Sequence, residues 1–155
     1  MECSRLGYET IFLTDQLSCE AKAAGEFLAA IARSHQSSEK SLAFIAGGET
    51  VVHVTGNGIG GRNQELALAS APGISGLKET AIFSFGSDGT DGPTDAAGGY
   101  CDNETKKVLE EKNIDIYQTL KNNDAYSALK ESAGLIMTGA TGTNVNDAAV
   151  ILIRR

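Results

Sequence analysis

TAIFSFGSDGTDGPTD, residues 80–95, passes from a β-prone apolar run into a loop built almost wholly of Gly, Asp, Ser, Thr and Pro. Thr80 to Phe85 predicts a strand. The residues beyond it cannot continue that strand, because Asp-Gly and Gly-Pro pairs form turns. The same passage occurs twice more. Thr50–Thr55 reads as a strand and leads into GNGIGGRNQE at 56–65. Leu135–Met137 reads as a short strand and leads into TGATGTNVND at 138–147. Three strand ends thus open into loops rich in Gly, Asp, Asn and Thr.

The intervening segments carry helical spacing. After a strand at Tyr8–Leu13, Ser18 is a cap for a helix in which Ala21, Ala24, Leu28 and Ile31 recur three and four apart, to about Arg33. Leu42–Ala46 predicts a strand, and Gly47-Gly48 a turn into Thr50–Thr55. Asn63–Ala71 predicts a short helix stopped by Pro72. Asp102 caps a helix to about Lys112, Ile116–Lys121 is a helical turn, and Asp124 caps a helix closing near Gly134. Ala148–Ile153 is the last strand. Strands alternating with helices give an α/β layered fold, a sheet of about six strands with helices packed on it. The turn at Gly47-Gly48 calls for an antiparallel pair, so the sheet is expected to be mixed. Phe27, Leu28, Phe44, Ile45, Val52, Phe83 and Ile151 are the core candidates. Residues 1–155 form one domain by length. No helix is expected before the first strand, the pattern of a domain excised from a larger protein.

Composition narrows the ligand. The chain has 155 residues and a formal charge of −7, with a pI near 4.8. That balance argues against a nucleic-acid or anionic-membrane surface. A negative ligand would have to be met by local dipoles, a few Arg or Lys, or a metal. Cys3, Cys19 and Cys101 are odd in number and form no C-x-x-C pair, so they read as free thiols in a reducing compartment. No run approaches the ~18 apolar residues of a membrane span, and no signal-peptide pattern opens the chain. A cytoplasmic protein is the expectation.

The loops carry the chemistry. Glycine lets successive N–H groups turn toward an anion. Gly56-x-Gly58-x-x-Gly61 matches a dinucleotide fingerprint, but no acidic residue ends the next strand: Glu79 precedes it and Asp88 is late. Three readings stay open here: a dinucleotide loop, a structural glycine turn, or a carboxylate- or phosphate-binding loop at a helix start. In the last, Gly58, Gly60, Gly61, Asn63, Gln64 and Glu65 line the ligand and Arg62 grips it bidentately. Asp88, Asp91 and Asp95 lack the spacing of a calcium loop; Asp88 and Asp91 could meet Mg²⁺ or simply shape turns. Thr90, Thr94, Thr138, Thr141, Thr143 and Asn144 offer hydroxyl and amide groups to phosphate oxygens. No G-K-[ST] occurs, so this is not a P-loop, and no G-x-S-x-G elbow is present. His35 and His53 have no catalytic context.

Taken together, GGETVVHVTGNGIGGRNQE (47–65), DGTDGPTDAA (88–97), Asn123-Asp124 and TGATGTNVND (138–147) resemble the C-terminal MOFRL domain of class II glycerate kinases, and the resemblance covers essentially the whole chain. Gly7-Tyr8 and Leu13-Thr14-Asp15 resemble the family's lead-in. Gly98-Gly99 and Cys19 depart from the family's usual residues, at positions with no catalytic role. The resemblance implies phosphoryl transfer from ATP to D-glycerate with Mg²⁺, at a cleft between this domain and a larger N-terminal domain of the same enzyme. It places a catalytic Lys in that other domain and assigns Arg62 to this one. The isolated piece is then expected to be inactive. A homo-oligomer is compatible with it. Because some members carry a hydroxypyruvate reductase label, an NAD(P)-dependent reductase domain is the alternative, beside a domain that only packs against a partner.

Overall fold

Asp147–Ile153, sequence DAAVILI, runs through the middle of the sheet, with a neighbour hydrogen-bonded on each side. The computed structural model describes residues 2–155. In chain order its elements are α1 (Glu2–Arg5), β1 (Glu9–Leu17), α2 (Ala21–Ser34), β2 (Leu42–Gly48), α3 (Arg62–Ile74), β3 (Thr80–Gly86), β4 (Gly98–Asp102), α4 (Thr105–Glu111), α5 (Ile116–Lys121), α6 (Ala125–Glu131), β5 (Leu135–Ile136) and β6 (Asp147–Ile153). The strand order is β1-β2-β6-β3-β4-β5. β1 and β2 are parallel, joined through α2; every other pair is antiparallel. The expected mixed sheet of six strands with packed helices is therefore the observed one.

The helices meet the sheet through two contiguous apolar clusters. In one, Ala21, Leu28, Leu66 and Ile74 from α2 and α3 pack on Phe44, Ile82 and Ile151. In the other, Leu68 of α3 joins Cys101, Leu109, Leu120 and Leu129, seating α4, α5 and α6 outside α3. Burying side chains of this size contributes roughly 1.5–3 kcal/mol each against exposure.

Several local expectations are corrected. Thr50–Thr55 is not a strand; only Val51 makes an isolated bridge, to Glu20. Its β-branched alternation is overridden because the N–H groups of Thr55 and Gly56 are taken by the Asn123 side chain. Gly47 and Gly48 are not a turn but the end of β2, paired with Ala148 and Asp147. The antiparallel partner is therefore β6, not residues 50–55. A strand absent from the sequence reading, β4, opens on Gly98-Gly99. A Cβ at Gly98 would lie 1.9 Å from the Ser84 carbonyl oxygen, so close approach to β3 selects glycine despite its poor strand propensity. Pro72 does not stop α3, which runs to Ile74; it removes one N–H donor in the last turn. Glu20, not Ser18, precedes α2. Short α1 does precede β1. Phe27 is 62% exposed and leaves the core list.

Strand direction gathers the loops. The carboxyl ends of β2, β3 and β5 and the amino ends of β4 and β6 lie at one end of the sheet. In open α/β sheets ligands bind outside such strand ends.

Candidate active site

Three connections leave this end: 49–61 after β2, 87–97 after β3, and 137–146 before β6. They are cross-tied. Thr141 N–H donates to the Asp88 carbonyl, and the Thr141 hydroxyl to the Ser87 carbonyl. Val145 N–H donates to Ser87 Oγ at 2.7 Å. Asp91 joins the other two. The three stretches singled out by composition therefore form one surface.

Asp91 is 3% exposed and lies against the first turn of α3. Its Oδ1 accepts from Asn63 N–H and Asn63 Nδ2, each at 3.1 Å, and its Oδ2 accepts from Gln64 N–H at 2.9 Å. Gly61, just before the helix, makes this approach feasible; a Cβ there would lie 2.3 Å from Asp91 Cγ. Asp91 is thus the cap of α3 supplied from another loop, satisfying donors a helix start leaves open. Burial pushes its carboxyl above the usual carboxylate range, against the pull of the Asn63 and Gln64 donors. This placement corrects two expectations. Asp91 is buried and three N–H donors occupy its two oxygens, so the structure places it as a helix cap rather than turned toward a Mg²⁺. The anion position at the α3 start is filled by the protein's own carboxylate, leaving less of the helix dipole for a ligand.

Asn63, Gln64, Glu65 and Thr94 also turn inward. Ser84 Oγ donates to Asn63 Oδ1. Gln64 Nε2 donates to Thr94 Oγ1 at 2.8 Å, and Thr94 Oγ1 to the Asp91 carbonyl. Glu65 is 1% exposed; its Oε1 accepts from Asn123 Nδ2 at 2.7 Å, and its Oε2 has no partner. Burial raises its carboxyl above the usual range. These side chains hold the loops together rather than face a ligand, contrary to the sequence reading.

Asn123 is the residue the sequence reading named only within a motif. Its Oδ1 accepts from Thr55 N–H at 2.7 Å and Gly56 N–H at 2.9 Å, while Nδ2 donates to Glu65 and to the His53 carbonyl. Neighbouring Asn122 and Asp124 take Asn57 and Ile59 N–H. Gly58 N–H is likewise spent, on the Asn122 carbonyl. The segment from Thr55 to Ile59 is therefore moulded on the α5–α6 connection. The run of Asn123-Asp124 was the only available signal, and it resembled an ordinary cap.

What remains turned outward is Arg62. Its Nε donates to Asp147 Oδ2 at 2.5 Å and its Nη2 to Asp147 Oδ1 at 3.1 Å, with Glu49 Oε1 3.3 Å from Nη2. The Asp147 hydrogen bond holds the guanidinium charged, above its usual range. Nη1 has no protein acceptor among the described residues, nor do the N–H groups of Gly60 and Gly61. Beside them lie Asp88, whose carboxyl is held low by the N–H and hydroxyl of Thr90, and the exposed Thr138, Thr141, Thr143 and Asn144. Among the described residues, no three His, Cys, Asp or Glu side chains gather as a metal site. With Asp91 taken as a cap, the carboxylate nearest Asp88 is Asp147, across Gly86, and both of its oxygens are held by Arg62; the residues of this chain do not fit a protein-held Mg²⁺.

The surface is open. Beneath Arg62, between Gly48, Thr50, Asn63, Ser84 and Asp147, there is a cavity of only about 10 Å³, room for about one water. A hollow of about 690 Å³ lies elsewhere, beside Ile59, Gln118 and Tyr126, and is lined by none of the outward groups around Arg62. The dinucleotide reading also loses its frame, since the glycines follow no strand.

Comparison with known proteins shows the family and the fold. The model of the MOFRL family matches residues 42–147, from the start of β2 to Asp147. A D-glycerate 2-kinase of Thermotoga maritima is 53% identical over 151 residues, 95% of this chain and 36% of the relative. A glycerate 2-kinase of Pyrococcus horikoshii is 45% identical, over 98% of this chain and 36% of the relative. A relative from Agrobacterium vitis carrying a hydroxypyruvate reductase name is 37% identical. The crystal structure of glycerate kinase from Thermotoga maritima superposes with a TM-score of 0.94 at 52% identity, over 97% of this chain and 37% of that one. The chain thus spans about a third of the length of the curated relatives it matches.

Proposed function

The chain belongs to the MOFRL family, and from that premise we propose that it supplies one wall of the active site of a glycerate 2-kinase. The observation that carries this reading is the convergence of three loops on an outward, carboxylate-oriented Arg62 with no enclosed pocket behind it. A small anion bound there needs a second wall, and the relatives are long enough to provide one. That wall is the N-terminal domain of the same enzyme, which brings ATP and the catalytic Lys.

In the proposed reaction the 2-hydroxyl oxygen of D-glycerate forms a bond to the γ-phosphorus of ATP. The bond from that phosphorus to the β–γ bridging oxygen breaks, ADP leaves, and the hydroxyl proton passes to a base or to water. Such transfers depend on positioning and charge neutralisation more than on covalent chemistry. Arg62 Nη1 and the Gly60 N–H are suited to the glycerate carboxylate or to the moving phosphoryl group. The Thr138, Thr141, Thr143 and Asn144 edge and Thr90 border the same ligand. Mg²⁺ would arrive on the ATP phosphates, and no ligand for it is assigned to this chain.

The name of the Agrobacterium vitis relative favours a second reading, an NAD(P)-dependent hydroxypyruvate reductase domain. The loop argues against it: Gly56 and Gly58 are packed on Asn122 and Asp124 and do not follow a strand. Among the described residues no helix is long and apolar enough to cross a membrane. A cytoplasmic location belongs to the proposal and does not follow from that. The test uses a polypeptide of the relatives' full length carrying this sequence. ATP with D-glycerate should yield ADP and 2-phosphoglycerate, and NADH with hydroxypyruvate should show no oxidation. The reverse pair of results would establish the reductase.

A further inference from the structure

The sheet has two faces, and helices α2 to α6 serve only one of them, through Phe44, Ile82, Ile151 and Cys101. The register defines the other. Phe12 pairs with Ile45, Ile45 with Val150, Val150 with Phe83, and Phe83 with Tyr100. One apolar rung therefore crosses five strands. The rung beside it carries Ala43, Leu152 and Ala81, and the rung on its other side carries Ala148 and Phe85. Phe83 and Phe85 stack at 6.3 Å between ring centroids. At the two ends of the central rung, Phe12 is 60% and Tyr100 38% exposed. Val150 at the centre is 7% exposed and Ala43 beside it 0%, and Thr10 and Asp102 end the neighbouring rung, so the accessible apolar area lies toward the Phe12 and Tyr100 ends. An apolar row with exposed ends of this kind marks an interaction site.

We propose that this face is the docking surface for a helix contributed by the part of the longer polypeptide that this chain does not span, laid with its apolar stripe along the Phe12–Ile45–Val150–Phe83–Tyr100 rung. Three observations select that occupant. The relatives that match this chain are about three times its length. The one helix on this side among the described residues, four-residue α1, is already seated over β1, with Ser4 Oγ 3.1 Å from Thr10 Oγ1; Thr10 pairs with Ala43 on this face. The edge pair β1–β2 is parallel, the pairing that goes with helical cover on both faces, whereas the four antiparallel pairs would tolerate an open one. The inference rests on the chain being part of a longer polypeptide, as the proposed function does, and not on the reaction catalysed.

The test is hydroxyl-radical footprinting of this 155-residue chain and of a full-length polypeptide carrying it. In the short chain Phe12 should label as readily as Phe27, and Tyr100 measurably but more slowly than Tyr117, in line with 38% against 68% exposure. In the full-length polypeptide Phe12 and Tyr100 labelling should fall at least tenfold while Phe27 labelling persists. Equal labelling of Phe12 and Tyr100 in both would overturn the proposal. So would protection that already exists in the short chain and deepens with its concentration, since the occupant would then be a second copy. A variant at the rim, Phe12→Ser, should leave the melting temperature of the short chain unchanged and lower that of the full-length polypeptide by about 3 °C or more. An unchanged value in both would also overturn it. None of these readouts uses kinase activity, so a failed assay and a failed docking surface are distinguishable.

Discussion

Arg62, the first residue of α3, and Asp147, the first residue of β6, form a two-pronged ion pair, Nε to Oδ2 at 2.5 Å and Nη2 to Oδ1 at 3.1 Å. Register places Asp147 between Gly48 of β2 and Gly86 of β3. The guanidinium is thus anchored to the end of the sheet, with its orientation fixed by a bidentate contact and Nη1 left outward.

Asp147→Asn should leave the fold intact and lower turnover in the full-length enzyme. The guanidinium would lose its charged, two-oxygen partner and its fixed plane. A fall in kcat of about tenfold or more corresponds to about 1.4 kcal/mol of transition-state stabilisation. Steady-state kinetics beside a melting curve check this; unchanged kcat would make the pair a surface contact only.

Asp91→Ala should destabilise the isolated chain. It removes the cap of α3 and strands the Asn63 and Gln64 N–H groups. Loss of a cap costs about 1–2 kcal/mol, and a shift in the denaturant midpoint at constant slope measures it. The Mg²⁺ dependence of a full-length Asp91→Asn variant should match wild type. A raised Mg²⁺ requirement at unchanged stability would restore the metal role.

Glu65 gives a pH dependence. Its folded carboxyl titrates higher than the unfolded one because of burial. For an acid shifted upward, the folded state favours the protonated form. The stabilisation is complete below the unfolded value and is lost as pH rises through the folded one. Glu65→Gln, which mimics the protonated group, should therefore gain stability relative to wild type as pH increases from about 4 to 8. Parallel stability profiles for the two proteins would contradict a buried, protonating Glu65.

Asn123 carries a positive φ of 56° as well as its side-chain bonds. Asn123→Gly relieves the backbone and deletes the bonds, whereas Asn123→Ala deletes the bonds and adds strain. Both should speed amide exchange at Thr55 and Gly56, and Ala should melt lower than Gly. Unaltered exchange at both amides would show that Asn123 does not mould the loop.

The sheet was legible where apolar runs ended at turn residues, as at Thr80–Phe85 and Ala148–Ile153, and so was the amphipathic α2. Strand β4 was not, because Gly98 and Gly99 answer to the closeness of β3 and α3 rather than to local propensity. Thr50–Thr55 failed in the opposite sense: its β-branched residues fit a strand, but side chains from 122–124 claimed its backbone. The three loops singled out by composition do meet at one end of the sheet, with Arg62 among them; that Arg62 meets a ligand is the proposal. The inward turn of Asp91, Gln64 and Glu65 could not be read from composition. A carboxylate in a Gly-rich loop looks the same whether it meets a metal or caps a helix 28 residues away in the chain, and only tertiary contact separates the two.

The central claim, that this chain brings Arg62 to an anion handled jointly with the rest of a kinase, is tested most directly by one measurement. It is the rate of 2-phosphoglycerate formation from ATP and D-glycerate by the full-length enzyme and its Arg62→Ala variant, at matched melting temperature. The account predicts a loss of up to about 4–7 kcal/mol in transition-state stabilisation, by analogy with arginine contacts to a transferring phosphoryl group, and only partial recovery in Arg62→Lys. Turnover in Arg62→Ala equal to wild type would contradict it.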